Sequence, residues 1–209
     1  MNLPSQWMEN AVNEFAKLPG IGKKTALRLV LHMMKQPQDQ VAAFGAAMLK
    51  LKTDIHYCPK CHNLSDHPGA ECSICSGPRR DHHTICVVES IRDLIAIEST
   101  NQYHGEYHIL GGVISPIEGM GPEQLFIDDL IAKVNSGTCN EVIMALNPTI
   151  EGDTTVYYIT KKITKQNVRI TSIARGISFG GELEYTDELT LARSLATRRP
   201  YDNYMQQSE

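Results

Sequence analysis

Four cysteines constrain this chain more than any other feature. Cys58 and Cys61 are separated by two residues, ten residues follow, and Cys72 and Cys75 repeat the short spacing. Two such knuckles bring four thiolates to the corners of a tetrahedron around one ion without strain. The surrounding stretch, 55–83, also holds five histidines (His56, His62, His67, His82, His83), three prolines and two glycines, with little periodicity. A stretch this irregular keeps a shape only when something staples it. Zn2+ suits four sulfur ligands, and filling every position with protein leaves no place for a reactive water, so the site reads as structural. An iron–sulfur cluster is the residual alternative. Disulfides fit a reducing cytosol poorly, and a redox pair would open a helix with a single CxxC. With four thiolates present, the histidines read as surface residues. Cys86 and Cys139, in or beside apolar runs, read as buried thiols.

The segments on either side have different rhythms. Before the cysteines, Trp7, Ala11 and Phe15 recur at steps of four, which predicts a helix over 5–17 with Ser5 as N-cap. Leu18-Pro19-Gly20-Ile21-Gly22 interrupts it, a second helix runs from Lys23 to Met34, Pro37 breaks that, and a third covers 38–54. After the cysteines, short apolar runs at 85–88, 108–110, 142–146 and 168–173 alternate with helical patterns near 90–98, 122–135 and 154–165. Such alternation implies a mostly parallel sheet with right-handed crossovers. The last stretch offers a short strand at 183–185, a helix at 188–196 and a polar tail. The expected layout is an α/β multi-module chain: a helical unit over 1–53, a four-cysteine finger over 54–83, an α/β domain over 84–175 and a short extension over 176–209.

At 209 residues with 42% hydrophobic side chains, the chain can bury a sizeable core. No apolar run approaches the roughly 18 residues of a membrane span. The N-terminal residues show no basic or apolar export signal, so no membrane association and a cytoplasmic location are expected. The net charge of −4 hides an asymmetry: residues 1–53 carry seven basic against three acidic side chains, a net of +4, whereas 87–209 sum to −7. A basic module on an acidic body fits a polyanion ligand.

Two motifs point to where chemistry could sit. In Leu18-Pro19-Gly20-Ile21-Gly22-Lys23-Lys24-Thr25-Ala26, Gly20 and Gly22 let the backbone bend and approach a ligand closely. The amides that open the following helix can hold a phosphate, with Lys23 and Lys24 beside them. The ordinary reading is a helix–turn–helix corner with a glycine stop signal. The full string, with Arg28 following, resembles the helix-hairpin-helix motif that grips the DNA backbone. Such contacts are sequence-independent and salt-sensitive. The second motif is acidic. Glu89 follows the strand at 85–88, and Asn147-Pro148-Thr149-Ile150-Glu151-Gly152-Asp153 follows the strand at 142–146. Both lie at carboxyl ends of parallel strands, where α/β sheets build sites. Glu89 reads equally as an N-cap or first-turn acid. The pair resembles the Toprim domain of topoisomerases and primases, in which a glutamate and a DPDREGE-like string hold Mg2+. Here Asn147 and Thr149 stand where that string has aspartates, which leaves the metal site eroded.

In their order, the hairpin, the paired knuckles, Ile85-Cys86-Val87-Val88-Glu89-Ser90, the Asn147–Asp153 string and Gly180-Gly181-Glu182-Leu183-Glu184 resemble the RecR family of bacterial recombination mediators over nearly the whole chain. The resemblance implies a non-enzymatic DNA-binding clamp, a homodimer or ring-like homotetramer. It implies action with RecO and RecF to load RecA onto gapped single strands. On this sequence it implies that Gly20, Gly22, Lys23 and Lys24 face DNA phosphates, with Arg28 and Lys35 as helpers. It further implies that Cys58, Cys61, Cys72 and Cys75 hold one zinc, and that Glu89 and Glu151 belong to a partner surface. Asp153 departs from the family's usual Glu-Gly-Glu. The competing classes are a Mg2+-dependent Toprim nuclease and an adaptor with no DNA contact of its own.

Overall fold

The computed structural model describes residues 3–164, 167–178, 180–198 and 200; the polar tail past 200, the N-terminal Met1-Asn2 and residue 165, the expected end of a helix, lie outside that set. The chain divides into two compact units, Met1–Ile55 and His56–Glu209.

The first unit is three helices: α1 (Gln6–Phe15), α2 (Lys23–Met33) and α3 (Gln38–Thr53). The apolar residues of α1 meet those of α2 around Val12, Ala26 and Val30, with Met8, Ala11, Phe15, Ile21 and Leu27 packed around them. Pro37, whose missing amide proton does no harm at a helix start, stands at the N-cap of α3. Phe15 and Phe44 stack at 6.4 Å and tie α3 to α1, yet α3 itself has no buried residue.

The second unit begins with a two-stranded antiparallel hairpin, β1 (His56–Tyr57) and β2 (Leu64–Ser65), inside the cysteine segment. There follow β3 (Asp81–Val88), α4 (Ile91–Glu98), β4 (Gly105–Ile109), α5 (Ile127–Ser136), β5 (Glu141–Met144), α6 (Ile150–Lys162), β6 (Arg169–Ser172) and α7 (Glu188–Ala196). The last four strands form one sheet in the order β4-β3-β5-β6, every pairing parallel. Helices cover both faces of such a sheet, so its strands are apolar on both sides. Alternate residues of β3 serve different layers. Ile85 and Val87 join Leu130, Val134, Val142, Met144 and Ile159 on the α5–α6 face. Cys86 and Val88 join Leu94, Tyr107, Ile109 and the four cysteines on the other.

Among the elements whose bounds differ from the sequence expectation, three show the cause plainly. β3 starts at Asp81 rather than 85, because the parallel partner β4 and the Asp81 amide bond to the His104 carbonyl (2.8 Å) extend it into polar sequence. α6 starts at Ile150 rather than 154, because the Thr149 hydroxyl caps it by accepting the Gly152 amide (3.0 Å). Residues Leu183–Tyr185, expected as a strand, form a 3-10 turn whose Leu183 and Tyr185 lie exposed, with no strand paired to them among the described residues. Among the described residues no helix is long and apolar enough to cross a membrane.

Candidate nucleic-acid interface and metal centre

The cysteine cluster is assembled as the spacing requires. Cys58, Cys61, Cys72 and Cys75 are buried, free of disulfides, and their sulfurs all lie within 4.8 Å of one another. Sulfurs placed about 2.3 Å from one ion at tetrahedral corners lie about 3.8 Å apart. The Cys61–Cys72 separation of 3.6 Å fits that figure. Within the cluster, hydrogen bonds from Cys61 and Cys75 push the Cys72 thiol down, and Cys61 and Cys75 are themselves pushed up. The Cys72 amide also donates to the Cys58 sulfur (3.3 Å). These four residues can hold a metal. Cys86, by contrast, is pushed up to about 12 by burial, and Cys139 donates to the Glu141 carbonyl, so both are buried thiols as expected.

The knuckle is fastened to the sheet by a group that the sequence does not flag. Glu106, on the edge strand β4, is 1% exposed. Lys60 from the first CxxC reaches its Oε1 at 2.6 Å, His82 from β3 at 2.5 Å, and Lys133 from α5 reaches Oε2 at 2.7 Å. Burial alone would raise this carboxyl, but the hydrogen bonds from Lys133, Lys60 and His82 outweigh it and bring the group down to about 2. One more stitch comes from the Ile109 amide, which donates to the Cys61 carbonyl (2.9 Å). His62, expected at the surface, has a side chain only 12% exposed. Its ring stacks on Phe126 at 3.7 Å, and its Nε2 lies 3.0 Å from Asp129. A left-handed backbone (φ +62°) turns it inward. His108 is buried beneath it, and desolvation lowers its imidazole to about 4, so it stays neutral while Nε2–H donates to the Phe126 carbonyl (2.7 Å).

In the hairpin, Gly20 adopts φ +78°, the left-handed region that favours glycine, but Gly22 does not. Gly22 is extended (φ −80°, ψ 164°) and serves as the N-cap of α2. Having no side chain, it caps nothing, and the first helical bond runs from the Ala26 amide to the Gly22 carbonyl (2.9 Å). The amides of Lys23, Lys24 and Thr25 therefore have no intrahelical acceptor. A Cβ at either glycine would meet nothing within 4 Å, so internal packing does not demand glycine there. Lys23, Lys24, Arg28 and Lys35 are all exposed and form no ion pair among the described residues. Open amides with cations beside them are the kind of group that can hold an anion.

The acidic corner is dispersed. The Glu89 carboxylate accepts the Asn147 amide (2.6 Å) at the ends of β3 and β5, and the capping acid of α4 is Asp93, which accepts from the Ser90 amide at 2.9 Å. The Thr149 hydroxyl is spent on its cap. A Cβ at Gly152 would lie 2.1 Å from the Asn147 carbonyl oxygen, so only glycine lets α6 sit this close to the strand end. Asp153 turns away to Arg175 at 2.6 Å, whose guanidinium holds its carboxyl below the usual range. Among the described residues, the four cysteines are the group of three or more His, Cys, Asp or Glu whose ligand atoms converge; Glu89, Glu151 and Asp153 do not form another.

Residues 8–51 match the family model described as RecR, helix-hairpin-helix, residues 83–174 match the Toprim domain, and residues 176–199 match RecR, C-terminal. The chain is 57% identical to Recombination protein RecR of Phocaeicola vulgatus, over 93% of this chain and 94% of the relative. It belongs to the RecR family. The RecR proteins of Cytophaga hutchinsonii (54% identical; 97% of this chain, 98% of the relative) and Flavobacterium johnsoniae (55%; 97% and 97%) match it at similar length. Against RecR, the parts of the expected layout fall in the expected order: helical hairpin, cysteine knuckle, Toprim sheet and C-terminal segment.

Proposed function

We propose that this chain is a DNA-binding recombination mediator that grips the phosphate backbone through the Gly20–Lys24 corner and performs no chemistry on the strand. The observation that carries this reading is the open start of α2: three amides without intrahelical acceptors beside the exposed Lys23 and Lys24, which form no ion pair among the described residues. The names of its relatives, recombination proteins, support the same role. Action with RecO and RecF to place RecA on gapped DNA follows from family membership, and the half-buried acids Glu89 and Glu151 are proposed for the partner surface. Zinc is the proposed occupant of the cysteine cluster, as a structural ion. The apolar groove in the helical unit, lined by Trp7, Met8, Phe15, Met34 and Phe44, supports a homodimer or homotetramer. A multimer would join several weak phosphate contacts into one strong one.

The test is DNA binding by fluorescence anisotropy over a salt series. Replacing Lys23 and Lys24 together by Ala lowers affinity and flattens the dependence on salt by about 1.4 in log–log slope for a single strand. Unchanged binding by a folded, correctly assembled variant removes the hairpin from the proposal. The Toprim match favours a second reading, a Mg2+-dependent nuclease. Against it stand Glu89 occupied by a backbone amide and Asp153 held by arginine. Strand cleavage with Mg2+ or Mn2+ that Glu89→Gln abolishes would establish the enzyme instead.

A further inference from the structure

Past the carboxyl end of β6, the chain makes a cavity of about 700 Å3 whose lining includes no residue of the hairpin or of the acidic corner. Its wall is the segment after β6, with Ile173, Arg175 and Ile177, and its other side is the end of α7, with Arg193, Ser194 and Arg198. The stretch of the chain from 87 onward is acidic overall, yet three arginines gather here. Like charges brought together repel unless something answers them. The carboxylate that does so is Asp153, 2.6 Å from Arg175 and 4.0 Å from Arg193. Three positive charges less one negative leaves two unanswered at the cavity among the described residues. Arg198 donates to the Leu195 carbonyl (3.1 Å) and forms no ion pair among the described residues.

The geometry points to a binding site for a nucleoside phosphate, with the phosphate on Arg193 and Arg198 and the base and sugar against Ile173 and Ile177. Guanidinium forks match phosphate oxygens two at a time. The volume lies within the range of about 300–1,000 Å3 typical of small-molecule sites, far more than a bare anion needs. Asp153 holds Arg175 and leans toward Arg193, so part of the site is oriented before any ligand arrives. The backbone helps as well: the amides of Ala174, Arg175, Gly176 and Ile177 donate to no backbone carbonyl among the described residues. The nucleotide could come as a free molecule or as one unit of a DNA strand. The strand form rests on the DNA-binding reading above; the free form does not.

Calorimetric titration of the full chain with dAMP, and with uncharged deoxyadenosine, tests the site directly. dAMP binds, deoxyadenosine binds much more weakly, and Arg193→Gln with Arg198→Gln weakens dAMP by about tenfold or more, while the Lys pair restores only part. Anisotropy of a labelled oligonucleotide, in the Lys23→Ala, Lys24→Ala background, separates the sources. A further loss of affinity with the Gln pair assigns the ligand to a strand; loss of dAMP binding alone assigns it to a free nucleotide. Equal binding of dAMP and deoxyadenosine overturns the proposal, as does a Gln pair that alters neither ligand. Should the pair not fold by circular dichroism, Arg198→Gln alone decides, since that side chain holds no other side chain among the described residues. If the hairpin variant keeps full DNA affinity, the hairpin reading fails while the dAMP titration still judges this cavity.

Discussion

In the helical unit Val12, Ala26 and Val30 are the buried side chains, while Trp7, Met34 and Leu49 stand 84%, 68% and 71% exposed. In the sheet unit two apolar layers flank β3, and even a glutamate and a histidine are enclosed. The first unit is built on about one helix–helix seam, the second on a sheet sealed on both faces and fastened by ion pairs. The difference teaches where each part's stability resides. The sheet unit carries its own, whereas the helical unit leaves apolar surface that only another surface can bury.

The comparison predicts unequal responses to damage. The largest effect follows disruption of the cysteine cluster: with the proposed zinc bound, Cys58→Ser, or a strong chelator, destabilises the sheet unit by more than about 4 kcal/mol. Hydrogen exchange should show protection vanishing over 56–80 while the amides of α1 and α2 keep theirs. Equal loss in both units would break the comparison. Next comes Glu106→Gln, which strands Lys60, His82 and Lys133 around a neutral amide. The expected loss in urea unfolding is about 3–5 kcal/mol. The same carboxyl sets an acid limit. Its folded value, about 2, lies below the ordinary 4.5, so its contribution is complete above about 4.5 and is lost as pH falls toward 2. Stability measured down this range declines, with Asp81, Glu98 and Asp153 adding to the slope because they are lowered too. The decline is shallower in Glu106→Gln.

Smaller effects belong to the helical unit. Val30→Ala removes part of its α1–α2 seam and costs about 1–2 kcal/mol. Trp7→Ser, at an exposed position, changes unfolding by less than about 0.5 kcal/mol in a monomer. If the groove at Trp7 joins copies of the chain, the same substitution lowers the mass measured by light scattering. A large stability loss with no change in mass would mean that the groove is closed from within.

Much of this architecture is legible in the sequence, and the reasons are local. Cys58, Cys61, Cys72 and Cys75 declare a ligand set by spacing alone, and buried parallel strands declare themselves as short apolar runs. Helix ends were legible where a proline or glycine stood, as at Pro37 and Gly22. What was hidden depends on distant partners. Glu106 meets Lys60 and His82, 46 and 24 positions away in the chain. Asp153 lies 22 positions from Arg175, so its place in an acidic string suggests a metal ligand although its partner is a cation. Thr149 stands at a metal position of the Toprim pattern, but a helix that starts four residues early uses its hydroxyl. The strand expected at 183–185 failed for the same kind of reason: its residues suit a strand, and no strand among the described residues pairs with them.

The bond from the Ile109 amide to the Cys61 carbonyl has a consequence for how this protein would fail. β4 is the outermost strand on its side, and the knuckle is what occupies its free rim. With the cysteine cluster empty and the knuckle loosened, β4 would bare a short strand edge with vacant donors and acceptors, the kind of border onto which other polypeptides stack. Metal starvation should thus be felt first as turbidity, before any loss of grip on nucleic acid.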